Sequence, residues 1–215
     1  MTEAQEPRVI LEAGNLLGES PVWDERHAAL WWVDIHGHRL HRWRAATGHD
    51  VFALAEQTAC IGLCEDGRLV CGGRFGFAIL DPASGQRTVL EQPLAGATQL
   101  RFNDGRCDRG GRFWSGTVSE SRTEGAAALY RLDPDGHVSR RLEGVTVSNG
   151  LAFSPDNRSM YFADSHRREM YVIDFDLASG ALGERRRFVQ FEADWGMPDG
   201  ATVDAEGCVW VAGIG

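Results

Sequence analysis

Apolar and polar positions alternate along this chain in short runs. "ALWWVD", "LVCGG", "FAIL" and "MYVIDFD" are separated by polar, Gly-containing turns. No long stretch repeats with the 3.6-residue period of an amphipathic helix, so the pattern predicts strands, with helices few and short. Five segments align on their first residue: "ESPVWDERHAALWWVDI" from Glu19, "CIGLCEDGRLVCGGR" from Cys60, "NDGRCDRGGRFWSGT" from Asn103, "NGLAFSPDNRSMYFADS" from Asn149 and "DGATVDAEGCVWVAGI" from Asp199. Each reads as strand, tight polar turn, strand. Asp24, Glu65, Asp108, Ser154 and Asp204 fall at the same turn position, and the starts lie 41 to 50 residues apart.

A third strand follows each complete pair, in "LHRWRAATG", "FAILDPASG", "ALYRLDPDG" and "MYVIDFDLASG". Each ends in a Gly-terminated turn suited to an antiparallel hairpin. A fourth follows in "DVFAL", "RTVLEQ", "VSRRL" and "RRRFVQF". Four antiparallel strands in about 45 residues is the unit of a β-propeller blade. The chain therefore reads as one all-β propeller domain over residues 1–215. Its blade units start near 19, 60, 103, 149 and 199, which makes about four and a half blades. Residues 8–14, "RVILEAG", precede the first unit without a hairpin partner, as does a strand that completes the last blade of a closed propeller. An open array would leave unpaired strand edges. The expectation is therefore a piece of a longer propeller, or a chain completed by a second copy.

The composition narrows the function classes. The net charge of −9 and pI near 5.2 argue against nucleic acid or an anionic membrane as partner. "MTEAQEPRVI" has neither the basic nor the apolar part of a signal peptide, and no run is long and apolar enough to cross a bilayer. Five cysteines, an odd number without CxxC spacing, read as buried or half-buried thiols of a reducing compartment, and the expected location is cytoplasmic. The tripeptide Asn157-Arg158-Ser159 matches a glycosylation acceptor that a cytoplasmic protein would not use.

In a propeller the first strand of each blade lines the central channel. Residues in one register of the repeat therefore converge at one end of it. Here they are Glu19, Cys60, Asn103, Asn149 and Asp199. Two are carboxylates and two carboxamides, each just ahead of an apolar strand. Asn and Asp before Gly are ordinary turn residues, but Glu is not. Turn chemistry does not explain the set, and oxygen donors gathered from several blades suit a hard cation. Other features read as structural. His36, His38 and His41 in "DIHGHRLH" fall on a solvated hairpin turn. "GESP" is not a nucleophile elbow. "ERRR" is a charged strand edge. Trp31, Trp32, Trp114 and Trp210 recur in second strands as blade packing.

The motifs "LGESPVW", "RFNDGRCDRGGRFWSGT", "VSNGLAFSPD", "YFADS" and "MPDGATVDAEGCVWVA" resemble the senescence-marker-protein/gluconolactonase/luciferin-regenerating family, from about residue 9 to the end. The resemblance implies a six-bladed β-propeller that binds one divalent metal cation (Ca, Zn, Mn, Mg or Fe(II)) in its channel. It implies Glu19, Asn149 and Asp199 as metal ligands, with Asp199 also the general base. It implies Arg101, Asn103 and Glu120 as substrate-binding residues. Family members continue past "VWVA" for about another blade and a half. The implied activity is hydrolysis of an aldonolactone to its sugar acid, as a gluconolactonase-like ester hydrolase. A cation polarises the lactone carbonyl, Asp199 orients or deprotonates a water, and Arg101 and Asn103 meet the sugar hydroxyls. The alternatives are a non-enzymatic calcium-binding or regulatory propeller, an inactive truncated lactonase, and another ester hydrolase on the same fold. The expected partner is a small sugar lactone. The complete propeller is expected to be a monomer, and this chain could close as a swapped dimer.

Overall fold

The computed structural model describes residues 8–215. The leading residues 1–7, which hold most of the segment judged not to be a signal peptide, lie outside the described residues. Four antiparallel sheets of four strands follow one another along the chain. The first holds β1 (Gly18–Asp24), β2 (Ala29–Asp34), β3 (Arg39–Arg44) and β4 (Gly48–Ala53). The second holds β5 (Thr58–Leu63), β6 (Leu69–Gly73), β7 (Phe77–Leu80) and β8 (Arg87–Glu91). The third holds β9 (Leu100–Cys107), β10 (Phe113–Ser119), β11 (Ala127–Leu132) and β12 (Val138–Val145). The fourth holds β13 (Ser148–Phe153), β14 (Ser159–Asp164), β15 (Glu169–Asp176) and β16 (Ala181–Gln190). A two-stranded fifth sheet pairs β17 (Met197–Val203) with β18 (Val209–Ile214). Two 3₁₀ turns, Ser165–Arg167 and Ala193–Trp195, are the helical elements of the described residues, and neither is long and apolar enough to cross a membrane.

These are propeller blades. The first strands β1, β5, β9, β13 and β17 lie side by side in that order, and the apolar core fills the wedges between neighbouring sheets. Phe77 of the second blade meets Phe102 and Phe113 of the third, with ring centroids 4.6 and 6.1 Å apart. Trp114 of the third meets Phe175 of the fourth at 6.0 Å, edge to face. Trp114 thus packs blade on blade as expected, whereas Trp210 is 64% exposed.

Repeated side chains fix both ends of the blades. Asp108 heads the β9–β10 turn. It accepts from the amides of Gly110 and Arg112 and from Trp114 Nε1. Asp204 does the same in the fifth unit, for the amides of Glu206 and Cys208 and for Trp210 Nε1. At the opposite end, Asp34 accepts from the amides of Leu16, Leu17 and Gly37. Asp164 accepts likewise from Thr146, Val147 and His166. Each of these two carboxylates ties down the backbone that leads into an inner strand.

Three expectations need correction. Residues 8–14 form no strand; the chain entering β1 is held by Asp34 and by the bond from the Ile35 amide to the Leu17 carbonyl. Of the three histidines assigned to a solvated turn, His36 and His38 are exposed there, but His41 is buried in β3. Its Nδ1 lies 2.9 Å from His49 Nε2, and its ring stacks on Trp32. Among the cysteines, Cys60 and Cys71 are buried and Cys64 and Cys107 half-buried, whereas Cys208 is exposed at the turn before β18.

Candidate functional site

Every inner strand is bulged close to the aligned position, with the slip in β5 earlier and narrower than the others. The pairing register slips between Glu19 and Val22, Thr58 and Cys60, Phe102 and Gly105, Asn149 and Ala152, and Pro198 and Ala201. A bulge sets two residues against one, bends the strand and re-aims side chains that a regular pleat would alternate. Glu19, Asn103, Asn149 and Asp199 all stand in or beside these bulges. Gly116 faces the bulged pair Asn103–Asp104, and a Cβ there would collide with the Ser148 hydroxyl. Its lack of a side chain lets the third and fourth blades approach closely beside Asn149.

Four carboxylates, Glu19, Glu25, Asp104 and Asp199, line a cavity of about 1040 Å³ along the inner strands, with Arg106 and the apolar Val22 and Ile61. Glu19 is half-buried, and its proton affinity is raised to a pKa of about 7. Burial is the main cause, followed by the charges of Asp199 and Asp104, and Arg101 opposes them. Burial also raises Asp199 above the usual carboxylate range. It pushes Asp104 up to about 6, against the bonds that its carboxylate accepts from the amides of Leu151 and Gly105.

Arg101, Asn103 and Asn149 form a hydrogen-bonded chain beside this cavity. Arg101 Nη1 donates to Asn103 Oδ1 at 2.8 Å. Asn103 Nδ2 donates to the Ser148 carbonyl at 3.0 Å and to Asn149 Oδ1 at 2.9 Å. Asn149, 5% exposed, passes its own N–H to Ser165 Oγ, which donates to the Pro198 carbonyl next to Asp199. Glu120 is not among the residues that line the cavity. One of its oxygens is 3.7 Å from Arg101 Nε, and the other is paired with Arg74 Nη1 at 3.0 Å. Cys60 shares the repeat register but not the polar chemistry: its buried thiol contacts Ser115 Oγ at 3.1 Å.

Among the described residues no three His, Cys, Asp or Glu side chains converge closely enough to form a cation site by themselves. The expected donor set has two carboxylates, Glu19 and Asp199, and the carboxamide of Asn149. These residues fit a hard divalent cation. The donors are oxygens from three blades, and carboxylates crowd around Glu19 with Arg101 as the opposing charge on it. A cation would offset both the burial and the neighbouring carboxylate charges that raise the proton affinity of Glu19.

Asp104 escaped the sequence reading. In "RFNDG" it looks like the first half of an Asp-Gly turn. The available signal was that this Asp-Gly lies inside an inner strand, where no turn belongs. Arg74 and Ser165, which hold Glu120 and Asn149, carry no sequence signal.

A family model described as "SMP-30/Gluconolactonase/LRE-like region" matches residues 17–215. A 6-deoxy-6-sulfogluconolactonase of Pseudomonas putida is 38% identical over 95% of this chain and 71% of its own length. Regucalcin of Danio rerio is 36% identical over 94% of this chain and 70% of its own. Among solved structures, regucalcin from Agrobacterium tumefaciens, described as a calcium-binding protein, superposes with a TM-score of 0.87 at 28% identity. That match covers 92% of this chain and 67% of the other.

Proposed function

The chain belongs to the SMP-30/gluconolactonase/LRE-like family, and on that premise we propose that it hydrolyses a sugar lactone to the open sugar acid. It is a gluconolactonase-like carboxylic ester hydrolase. The observation that carries the reading is the convergence of Glu19 and Asp199 on one cavity beside the Arg101–Asn103–Asn149 chain. Glu19, Asn149 and Asp199 would hold one divalent cation of the oxygen-preferring class, which would supply Lewis-acid polarisation of the lactone carbonyl.

The remaining work falls to the chain's own residues. A water must add to the carbonyl carbon while the ring C–O bond breaks and the ring oxygen leaves as a hydroxyl. Asp199 is the carboxylate that orients this water, takes up its proton and returns it to the leaving ring oxygen. A carboxylate that also holds a cation is a weak base, so orienting the water is its main part. Arg101 spends Nη1 on Asn103 and the Phe102 carbonyl, and its guanidinium also offers Nε and Nη2 as donors to sugar hydroxyls. Asn103 has a narrower role than its residue type suggests. Both hydrogens of Nδ2 are used inside the protein, so its contact with substrate is through Oδ1 alone. Glu120, held in place by Arg74, accepts from a substrate hydroxyl. The apolar wall at Val22 and Ile61 limits competing water.

The test is a pH-stat assay of acid release over a panel of aldonolactones, with calcium, magnesium, manganese and zinc added in turn to chelated protein. Turnover restored by a cation is expected. Full activity in the chelated, metal-free protein would rule out the mechanism.

A further inference from the structure

We propose that Asp104 is a positioning residue for the site, one that fixes the bulge carrying Asn149 by accepting the backbone amide that this bulge frees. The bulge concerned lies in β13. Its register slips between Asn149 and Ala152, so the residues between them face the single residue Phe162 across the sheet. The Leu151 N–H within that bulge donates to Asp104 Oδ2 at 2.8 Å, across the boundary between the third and fourth blades. The other oxygen of Asp104 accepts from the Gly105 amide at 2.8 Å. Asp104 itself sits in the bulge of β9, so one carboxylate joins two bulges.

The adjacent Asn103 completes the arrangement by binding the Ser148 carbonyl and Asn149 Oδ1. Consecutive residues of β9 thus hold both sides of Asn149. Arg106, two positions further along, reaches the Ala201 carbonyl beside the bulge of Asp199 at 3.0 Å, and its charge faces Asp104. The inner strand of the third blade is therefore the frame on which the cation-ligand candidates of the fourth and fifth units are set. A half-buried carboxylate close to Glu19 and Asp199 adds repulsion, so its presence calls for a compensating use. Capping the Leu151 amide supplies one, because an unpaired buried N–H is costly.

The kinetic part of the test rests on the lactone reading; the other two parts do not. Calcium chloride alone is titrated calorimetrically into chelated wild-type, Asp104→Ala and Asp104→Asn proteins. Loss of an outer partner of a metal ligand typically weakens binding about 10–100-fold, which is expected for the alanine variant. The asparagine variant keeps an acceptor for the Leu151 amide without the charge, and most of the affinity should return. With a lactone, Asp104→Ala should lower kcat with KM little changed, and Asp104→Asn should rescue it. In wild-type protein, the Leu151 amide should exchange hydrogen as slowly as the paired amides of β13, a measurement that stands even if the alanine variant does not fold. Alanine binding calcium like wild type, asparagine binding as weakly as alanine, or rapid exchange at Leu151 would each overturn the proposal. If wild type turns over no lactone, the lactone reading fails, and Asp104 is judged by the calcium and exchange measurements.

Discussion

The carboxamide of Asn103 donates to Oδ1 of Asn149, 2.9 Å away and 46 positions along the chain. The same nitrogen bonds the Ser148 carbonyl. Asn103→Asp would replace both donors by acceptors and set a carboxylate against two oxygens. Leaving buried polar groups unsatisfied costs about 1–3 kcal/mol. A drop in kcat/KM of about 10–100-fold is expected, as for loss of an outer partner of a ligand. Steady-state kinetics beside a melting curve would show whether the loss exceeds that due to destabilisation.

Asp199 and Arg101 should separate chemistry from binding. Asp199→Ala is expected to abolish lactone hydrolysis while the protein stays folded. Arg101→Ala should raise KM more than it weakens cation binding. Parallel losses in KM and in calorimetric cation affinity would make Arg101 a structural residue instead.

The raised pKa of Glu19 has a definite sign. Between its ordinary value of 4.5 and about 7, the folded protein holds a proton that the unfolded chain releases. This contribution to stability is full below 4.5 and is lost as pH rises through 7. Asp104, raised from 3.8 to about 6, acts in the same direction. The melting temperature of chelated protein should therefore fall from pH 5 to pH 7.5, less steeply in Glu19→Gln. Cation binding must expel the Glu19 proton, so its affinity should rise with pH up to about 7 and then level off. Proton release measured by calorimetry in buffers of different ionisation enthalpy would check this.

Far from the site, Asp108 and Arg112 form a buried pair at 2.7 Å, with side chains 0% and 8% exposed, and Trp114 Nε1 shares the carboxylate. Breaking such a pair typically costs about 3–5 kcal/mol, because the remaining charge is left buried. Asp108→Ala should lower the denaturant midpoint strongly. KM measured well below the unfolding transition should not change.

The propeller architecture was legible because a repeat reports itself. Asp24, Asp108 and Asp204 recur in register for a physical reason: each caps the turn between the first and second strands of its blade. Glu19, Asn149 and Asp199 could be aligned for the same reason. The bulges were not legible, since a bulge belongs to two paired strands and leaves no mark in either one. For that reason Asp104 did not stand out in the repeat, and His41 was read with the turn that it follows. Exposure of Cys208 depends on what packs over the fifth unit, which local pattern does not encode.

The five bulges also bear on how this protein can change. A side chain that has left the regular pleat can be exchanged without moving the strand to which it belongs. Substitutions at 19 and 199 should therefore alter charge and ligand type at little cost to folding, whereas Asn103 and Asn149 are tied into the hydrogen-bonded chain and Gly116 and Asp108 should tolerate almost nothing. Variation in chemistry and variation in stability would then fall on separate sets of positions, so the same walls could be fitted with a different reaction.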